Sequence, residues 1–347
     1  MPVVPPTVLT DFVQRIFQAA GATERSARLV AGSLVASDLA GHESHGVVRV
    51  SQYLNSIASG ALDPAAEPVI AHETATIALV DARRGFGQVA AHFAMQVAIA
   101  KARAHGLAAS GLINCNHVGR LGEWVQMAAD QGTIGLAFCN GGGPRGAVAP
   151  YGGATRLLGT NPIAAAVPVA GRPPVVIDFA TSAVAEGKLR VARNRGLPVP
   201  QGLILAPDGR PSTNPGDFYA GGVLLPAAGH KGYGLSLLVE LLGGLLTGSG
   251  SPVLAGFGGG NGVLLLVLAI EAFRPLEAFL ADAAALCAQV KATPPAPGFA
   301  EVLLPGEPEQ RAAAQRRVEG IMIDQVTWTQ LATAAAERGI AVPAEVE

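Results

Sequence analysis

The sequence predicts an α/β protein of the α+β kind, with a strand-rich middle inserted into a helical domain built from both termini. Three observations carry this. Residues 8–60 and the stretch after Leu276 show helical periodicity. Between them lie short apolar runs bounded by glycine and proline, alternating with helical segments. The 347 residues are half apolar, with a mean hydropathy of +0.37. That is enough chain for two or three domains and a substantial core.

In order, Thr10–Ala20 and Thr23–Leu39 read as helices punctuated by Gly21 and Gly41, and a His-rich helix follows. Thr76–Arg83 reads as a strand. Gln88–His105 is a helix with Val89, Phe93 and Val97 on one stripe, closed by Gly106. Then come strand 108–114, helix 121–131 and strands 133–139, 163–169 and 175–180. A Gly/Pro-rich stretch, 196–222, holds the turn Pro207-Asp-Gly-Arg. Lys231–Leu246 reads as a helix, Gly262–Ile270 as a strand and Leu276–Ala292 as a helix. Pro294–Gly298 is a linker, and Thr327–Arg338 is helical. The boundaries expected are 1–75 and 271–347 for the helical domain and 76–270 for the inserted one, with helix 230–246 a candidate to join the former.

Composition excludes several classes. A net charge of −2 and a pI near 6.4 give no basic surface for nucleic acid or anionic membrane. Cys115, Cys139 and Cys287 lack CxxC spacing and read as free thiols in a reducing compartment. The first residues have neither the basic region nor the apolar run of a signal peptide. The longest apolar stretches, Leu235–Leu246 and Val263–Ile270, are too short to span a bilayer. A soluble cytoplasmic protein is expected.

The segment Gly41-His-Glu-Ser-His-Gly-Val-Val-Arg-Val-Ser-Gln-Tyr53 concentrates two histidines, a serine, an arginine and a tyrosine in a chain only 14% charged. On a single helix starting near Ser44, residues His45, Arg49 and Tyr53 follow at steps of four, about 400° each, and stack on one face. An imidazole that moves a proton near neutral pH and a guanidinium that clamps a carboxylate suit a site for a small acid. The competing reading is a buried helix whose His and Arg satisfy each other. His42, Glu43, His45 and His117 can also be weighed as metal ligands, but no HExxH, Cys pair or carboxylate cluster completes a shell, and no metal is expected. A Ser44 nucleophile lacks Gly-x-Ser-x-Gly and a nearby Asp.

Asn114-Cys-Asn-His-Val-Gly-Arg120 lies between a strand and a helix, where His117 can serve as an acid/base or mark a phosphate loop. Asp178-Phe-Ala-Thr-Ser182 ends an apolar strand in acceptors and hydroxyls, as a ribose-binding edge or a helix cap does. Gly229-His-Lys-Gly-Tyr-Gly234 sets a lysine at a helix start, suited to phosphate oxygens. Gly159-Thr-Asn-Pro162 is a turn by composition. No strand leads into Gly-x-Gly-x-x-Gly: Gly141–Gly146 and Gly256–Gly260 have the wrong spacing or a proline. No P-loop is present either.

Taken in order, Ser44-His-Gly with Arg49 and Tyr53, Asn114-x-x-His-x-Gly119, Gly159-Thr-Asn-Pro, Asp178-x-Ala-Thr-Ser, Lys231-Gly-Tyr-Gly-Leu and Leu304-Pro-Gly-Glu307 resemble the malate/L-lactate dehydrogenase family of the non-Rossmann type. That family includes L-sulfolactate, ureidoglycolate and diketogulonate oxidoreductases and the Δ1-piperideine-2-carboxylate reductases. The resemblance runs from about residue 8 to 340. It implies an NAD(P)-dependent oxidoreductase on a malate/L-sulfolactate dehydrogenase-like fold, with a mixed-sheet nucleotide domain, working as a homodimer. It places Ser44 and His45 in the proton-transfer site, with His117 as the other family histidine. Arg49, with Tyr53 beside it, and Thr160 fall at the substrate. Asn140, Asp178, Phe179, Ala180, His230 and Lys231 fall at the dinucleotide, as do Pro305, Gly306 and Glu307.

Two departures bear on specificity. The stretch 248–262 looks shorter than usual. In the imine reductases a His and an Asp follow the Asp-x-Ala-Thr-Ser motif, where this chain has Glu186 and Lys188, closer to the hydroxy-acid enzymes. Reduction of a small 2-oxo acid is therefore expected ahead of a cyclic imine, and both ahead of a catalytically idle binding protein. Glu307 and Glu309, with Arg311 the first cation after them, favour NAD over NADP, unless Lys188, Arg193 or Arg195 supplies the missing charge.

Overall fold

A computed structural model of the chain describes residues 1–142, 146–194 and 196–344. Arg195 and part of the Gly141–Gly146 segment lie outside the described residues. The architecture is mixed α/β, centred on a seven-stranded sheet of order β2-β3-β4-β11-β5-β6-β7. Its strands are Val69–Glu73 (β2), Ile77–Asp81 (β3), Leu107–Cys115 (β4), Thr133–Gly142 (β5), Pro162–Val167 (β6), Val175–Ala180 (β7) and Gly260–Ala269 (β11). β3 and β4 pair in parallel because the helix Gly87–His105 (α4) crosses between them. Every other pairing in this sheet is antiparallel.

β11 sits between β4 and β5, which fall far earlier in the chain. Its Val263, Leu264, Leu265 and Val267 are all buried, so a run of apolar residues without alternation suits this central place. α4 and Leu121–Ala129 (α5) cover the sheet with Met95, Ala98, Trp124 and Val125, which meet Leu112 and Leu265 in one core.

A second core joins the two ends of the chain. Val3–Val4 (β1) pairs antiparallel with Ile321–Met322 (β12). Helices Pro6–Ala19 (α1), Glu24–Leu39 (α2), Val50–Ala58 (α3) and Gln325–Ala336 (α11) pack Phe12, Phe17, Leu34, Val50 and Leu331 together. Thr23 caps α2 by accepting the Ser26 N–H, and Asp324 caps α11 by accepting that of Thr327.

Several elements differ from the sequence reading. The 196–222 stretch is not irregular: Ile204–Leu205 (β8), Pro211–Ser212 (β9) and Val223–Leu224 (β10) form a small sheet. With helices Glu186–Asn194 (α6) and Pro215–Tyr219 (α7), it encloses Leu189, Ile204, Phe218 and Leu224. Strands of two residues leave no periodicity to read. α6 and Glu307–Glu319 (α10) are highly charged and give little apolar stripe either.

The helix expected over 231–246 begins as His230–Val239 (α8) and continues as a π-helical stretch, Glu240–Leu246. The stretch begins at Glu240, which is only 3% exposed. Its two oxygens accept from Asn140 Nδ2 and Asn161 Nδ2, each at 2.8 Å. Asn140 also donates to the Gly250 carbonyl at 2.9 Å and accepts the Gly262 N–H at 3.0 Å, tying the 248–262 loop to β5 and β11. A buried carboxylate held by two amides is costly to disrupt from one side. Glu240→Ala should lower the unfolding free energy by about 2–4 kcal/mol, since two buried amide donors lose their acceptor. Urea titration of both proteins measures this.

Candidate active site

The His-rich segment is not one helix. α2 ends at Leu39, and a 3-10 turn, Glu43–His45, is followed by a second, Val47–Arg49, before α3 starts at Val50. The break lies at Gly46, whose backbone is extended (φ −85°, ψ −155°). Beneath it sits Asp38, buried at 2% exposure, with its Oδ2 accepting the Val47 N–H at 2.8 Å. A Cβ at residue 46 would lie 1.8 Å from Asp38 Oδ1. Only glycine lets the backbone come this close, and the carboxylate replaces the hydrogen bond that a continuous helix would have supplied. Burial pushes the Asp38 carboxyl up to about 7, with the Val47 N–H opposing.

The turn therefore redirects the residues that a single helix would have stacked. Ser44 Oγ lies 3.0 Å from His45 Nδ1. Arg49 folds back, Nε donating to the Ser44 carbonyl at 2.6 Å and Nη1 to Gln52 Oε1 at 2.6 Å. Tyr53 reaches away to His117, its hydroxyl 2.7 Å from Nδ1. His117 stands on the loop after β4, and its ring stacks on that of His45 with centroids 5.5 Å apart and planes 22° apart. Residues distant in sequence thus form one cluster: Ser44, His45, Arg49 and His117 in front, with Tyr53 behind.

Tyr53, expected at the substrate, is 3% exposed, and its hydroxyl is engaged by His117 and by Gln88 Nε2 at 2.7 Å. Its place is behind His117. Gln88 is a residue that sequence reading missed; the only signal was a polar side chain at the start of α4 in an otherwise apolar turn. The start of α6, where the sequence carries Glu186 and Lys188, also reaches the cluster. A Cβ at Gly187 would meet Ser44 Cβ at 2.8 Å, so α6 packs directly on the cluster. Glu186 there accepts from Tyr219 and pairs with Arg190.

Electrostatics keep both imidazoles neutral. Burial, with help from Arg49, His42 and Arg120, lowers His45 to about 3. Burial, Arg49 and His45 hold His117 well below the usual histidine range. The Arg49 guanidinium is itself pulled down by burial.

A cleft of about 990 Å³ opens between α2, α5, β7 and the segment leading into α10; Ser44, His45, Arg49 and His117 are not among its lining residues, which come nearest to them in sequence at His42 and Arg120. Asp178, Phe179, Pro305 and Gly306 line it, as do His42, Arg120 and Glu309. Asp178 Oδ2 accepts the Gly122 N–H at 2.7 Å, and burial raises its carboxyl. The size is at the upper end for small-molecule and cofactor sites. Arg120 Nε on its wall is buried without a hydrogen-bond partner among the described residues, as a group awaiting a ligand would be.

Other expected contacts fall elsewhere. Asn140 spends its side chain on Glu240, Gly250 and Gly262 inside the core. Glu307 turns from the cleft: its carboxylate accepts from Leu304 N at 2.9 Å and pairs with Lys291 at 3.0 Å and Arg172 at 3.3 Å. Thr160 accepts the Thr181 N–H through its carbonyl, and Ala180 pairs with Pro162 in the sheet. His230 and Lys231 stand exposed at the start of α8, outside the cleft lining, with the His230 ring edge-on to Tyr151. His42 pairs with Glu309 at 3.4 Å, while His45 meets Ser44. No group of three His, Cys, Asp or Glu side chains among the described residues has the geometry to hold a metal.

Residues 4–332 match a family model described as malate/L-lactate dehydrogenase. The chain is 37% identical to hydroxycarboxylate dehydrogenase B of Escherichia coli O157:H7 over 346 residues, covering 96% of this chain and 93% of the relative. It is 40% identical over 245 residues to a Δ1-pyrroline-2-carboxylate/Δ1-piperideine-2-carboxylate reductase of Pseudomonas putida, covering 71% of each. The solved sulfolactate dehydrogenase from Methanocaldococcus jannaschii superposes with a TM-score of 0.90 at 32% identity, over 98% of both chains.

The turn at Gly46 gives a direct check on this geometry. Gly46→Ala forces apart the backbone and the Asp38 carboxylate. It should cost about 1–3 kcal/mol and spread the Ser44–His45–Arg49 cluster, which a fall in thermal midpoint together with lost turnover would register.

Proposed function

The chain belongs to the malate/L-lactate dehydrogenase family, and from that premise we propose reversible hydride transfer between a nicotinamide and C2 of a small 2-hydroxy acid/2-oxo acid pair. The observation that carries this reading is the stacked, neutral His45–His117 pair beside Arg49, linked to the cleft through the lining residue Arg120, whose charge acts on His45. When bound, the nicotinamide supplies the hydride chemistry; the protein's part is placement and charge.

Arg49 binds the substrate carboxylate and so aligns C2. That pairing also has an electrostatic effect on His45. Arg49 is among the groups that depress the His45 imidazole, so a carboxylate that neutralises it raises the affinity of His45 for a proton. In the reducing direction His45 then donates that proton to the substrate oxygen as C2 is reduced, and Ser44 orients the ring. In the oxidising direction the neutral imidazole accepts it. Asp178, Phe179, Pro305 and Gly306 on the cleft wall are the groups we assign to the dinucleotide. The assignments of Lys231 to a phosphate and of Thr160 to the substrate rest on the resemblance alone.

We assign NADH as the preferred cofactor. Asp178 and Glu309 put carboxylates on the cleft wall, which suit free ribose hydroxyls, although Glu309 is paired with His42, and Arg120 and Arg317 line the same wall. Glu307 adds nothing, being paired with Lys291, and Arg193 lies over the Tyr219 ring at 3.8 Å. We also propose a homodimer through α8 and the π-helical stretch, where Leu237, Leu238, Leu241, Leu245 and Leu246 are exposed together. No helix among the described residues is long and apolar enough to cross a membrane.

A second reading, reduction of a cyclic imine, draws on the Pseudomonas putida relative. A panel of 2-oxo acids and Δ1-piperideine-2-carboxylate with NADH and NADPH, followed at the nicotinamide absorbance, separates the two. The expected result is turnover of a 2-oxo acid with kcat/KM favouring NADH. Turnover of the imine alone would overturn the substrate, and a preference for NADPH would overturn the cofactor. His45→Ala should cut kcat by roughly two to four orders of magnitude, the usual scale for a general acid, with cofactor affinity unchanged. If His117→Ala does this and His45→Ala does not, the two roles are reversed.

A further inference from the structure

Behind the histidine pair lies a buried chain of three polar groups, Gln88–Tyr53–His117. We infer that Gln88 acts through Tyr53 to hold His117 as the neutral Nε2–H tautomer, so that His117 is a fixed hydrogen-bond donor to the substrate oxygen while His45 exchanges the proton. The part concerning substrate rests on the function proposed above; the tautomer does not.

The direction of each bond follows from counting donors. Gln88 is fully buried, with its Nε2 2.7 Å from the Tyr53 oxygen and its Oε1 without a partner among the described residues. This orientation leaves one N–H and the carbonyl without partners among the described residues, whereas turning the amide over would leave both N–H donors unpaired, and an orphaned N–H is the rarer case. Gln88 therefore donates. Burial raises the Tyr53 phenol far above its ordinary value, so it keeps its proton. With its oxygen accepting from Gln88, the one O–H donates to His117 Nδ1 at 2.7 Å. Nδ1 is then an acceptor, and the single proton of the neutral ring sits on Nε2.

The chain is held rigidly. A Cβ at Gly87 would lie 2.4 Å from the His117 carbonyl oxygen, so the start of α4 presses on the loop that carries His117. Tyr53 is wedged edge-on to Phe86 with centroids 6.2 Å apart. Gln88 is thus a positioning residue: it never meets substrate and acts by choosing which nitrogen of His117 carries hydrogen.

Nitrogen-15 imidazole spectra of the whole enzyme read this without substrate, with the His117 signal assigned by comparison with His117→Gln. The expected wild-type signature is an unprotonated Nδ1 and a protonated Nε2. Gln88→Glu replaces the donor with an acceptor, reverses the Tyr53 hydroxyl and should move the proton to Nδ1. In that variant kcat should fall at least about tenfold with cofactor KM unchanged. A wild-type Nδ1–H signature, or a folded Gln88→Glu with the wild-type tautomer, would overturn the inference. Should Gln88→Glu fail to fold, the wild-type spectrum still decides. A correct tautomer in an enzyme that turns over no 2-oxo acid would overturn the proposed function and leave this inference standing.

Discussion

The arrangement of Ser44, His45, Arg49 and His117 depends on one buried carboxylate. Asp38 sits under Gly46 and takes the Val47 N–H, which stops the chain from running as a helix from residue 43 to residue 58. A straight helix would have lined His45, Arg49 and Tyr53 along one face. The two 3-10 turns instead fold Arg49 back onto the Ser44 carbonyl, swing His45 onto His117, and leave Tyr53 behind that ring. Burying the carboxyl raises it to about 7, an unfavourable environment that the backbone N–H partly offsets.

That arrangement explains how two imidazoles share one small space. Each is depressed by burial, and His117 also by its neighbour, so a second proton in the pair is disfavoured. The polar chain from Gln88 assigns His117 the role of neutral donor. Ser44 and the Arg49 guanidinium act on His45. Similar side chains thus acquire different jobs from their surroundings.

A second buried carboxylate, Glu240, does the corresponding work for the scaffold. It links Asn140 on β5 to Asn161 at the entry to β6, and stands at the start of the π-helical stretch. Through Asn140 it also pins the 248–262 loop against the sheet. The cleft is lined by β7 and α10, and the approach of α10 is set by the Pro305 carbonyl accepting the Val176 N–H and by the Glu307–Lys291 pair. Residues of the Leu304–Glu307 motif thus divide between lining the cleft and holding its wall in place.

The longer regular elements were legible in the sequence. α1, α2, α4, α5 and the sheet strands from β3 to β7 and β11 stand within a few residues of where periodicity puts them, because each buries one continuous stripe or run. The order of motifs is sufficient for the family, and Ser44, His45, Arg49 and His117, all named by those motifs, come together in the fold. What the sequence could not contain was the partner of each polar side chain. Asn140 and Glu307, expected at a dinucleotide, have side chains bonded within the protein. Tyr53 looks like a substrate contact until Gln88 and His117 close on its hydroxyl. Those bonds join residues 35, 64, 100 and 122 positions apart, and local pattern holds no record of distance in space. Periodicity determined which faces are apolar; only the packed structure decided which buried polar groups satisfy one another and which remain free for chemistry.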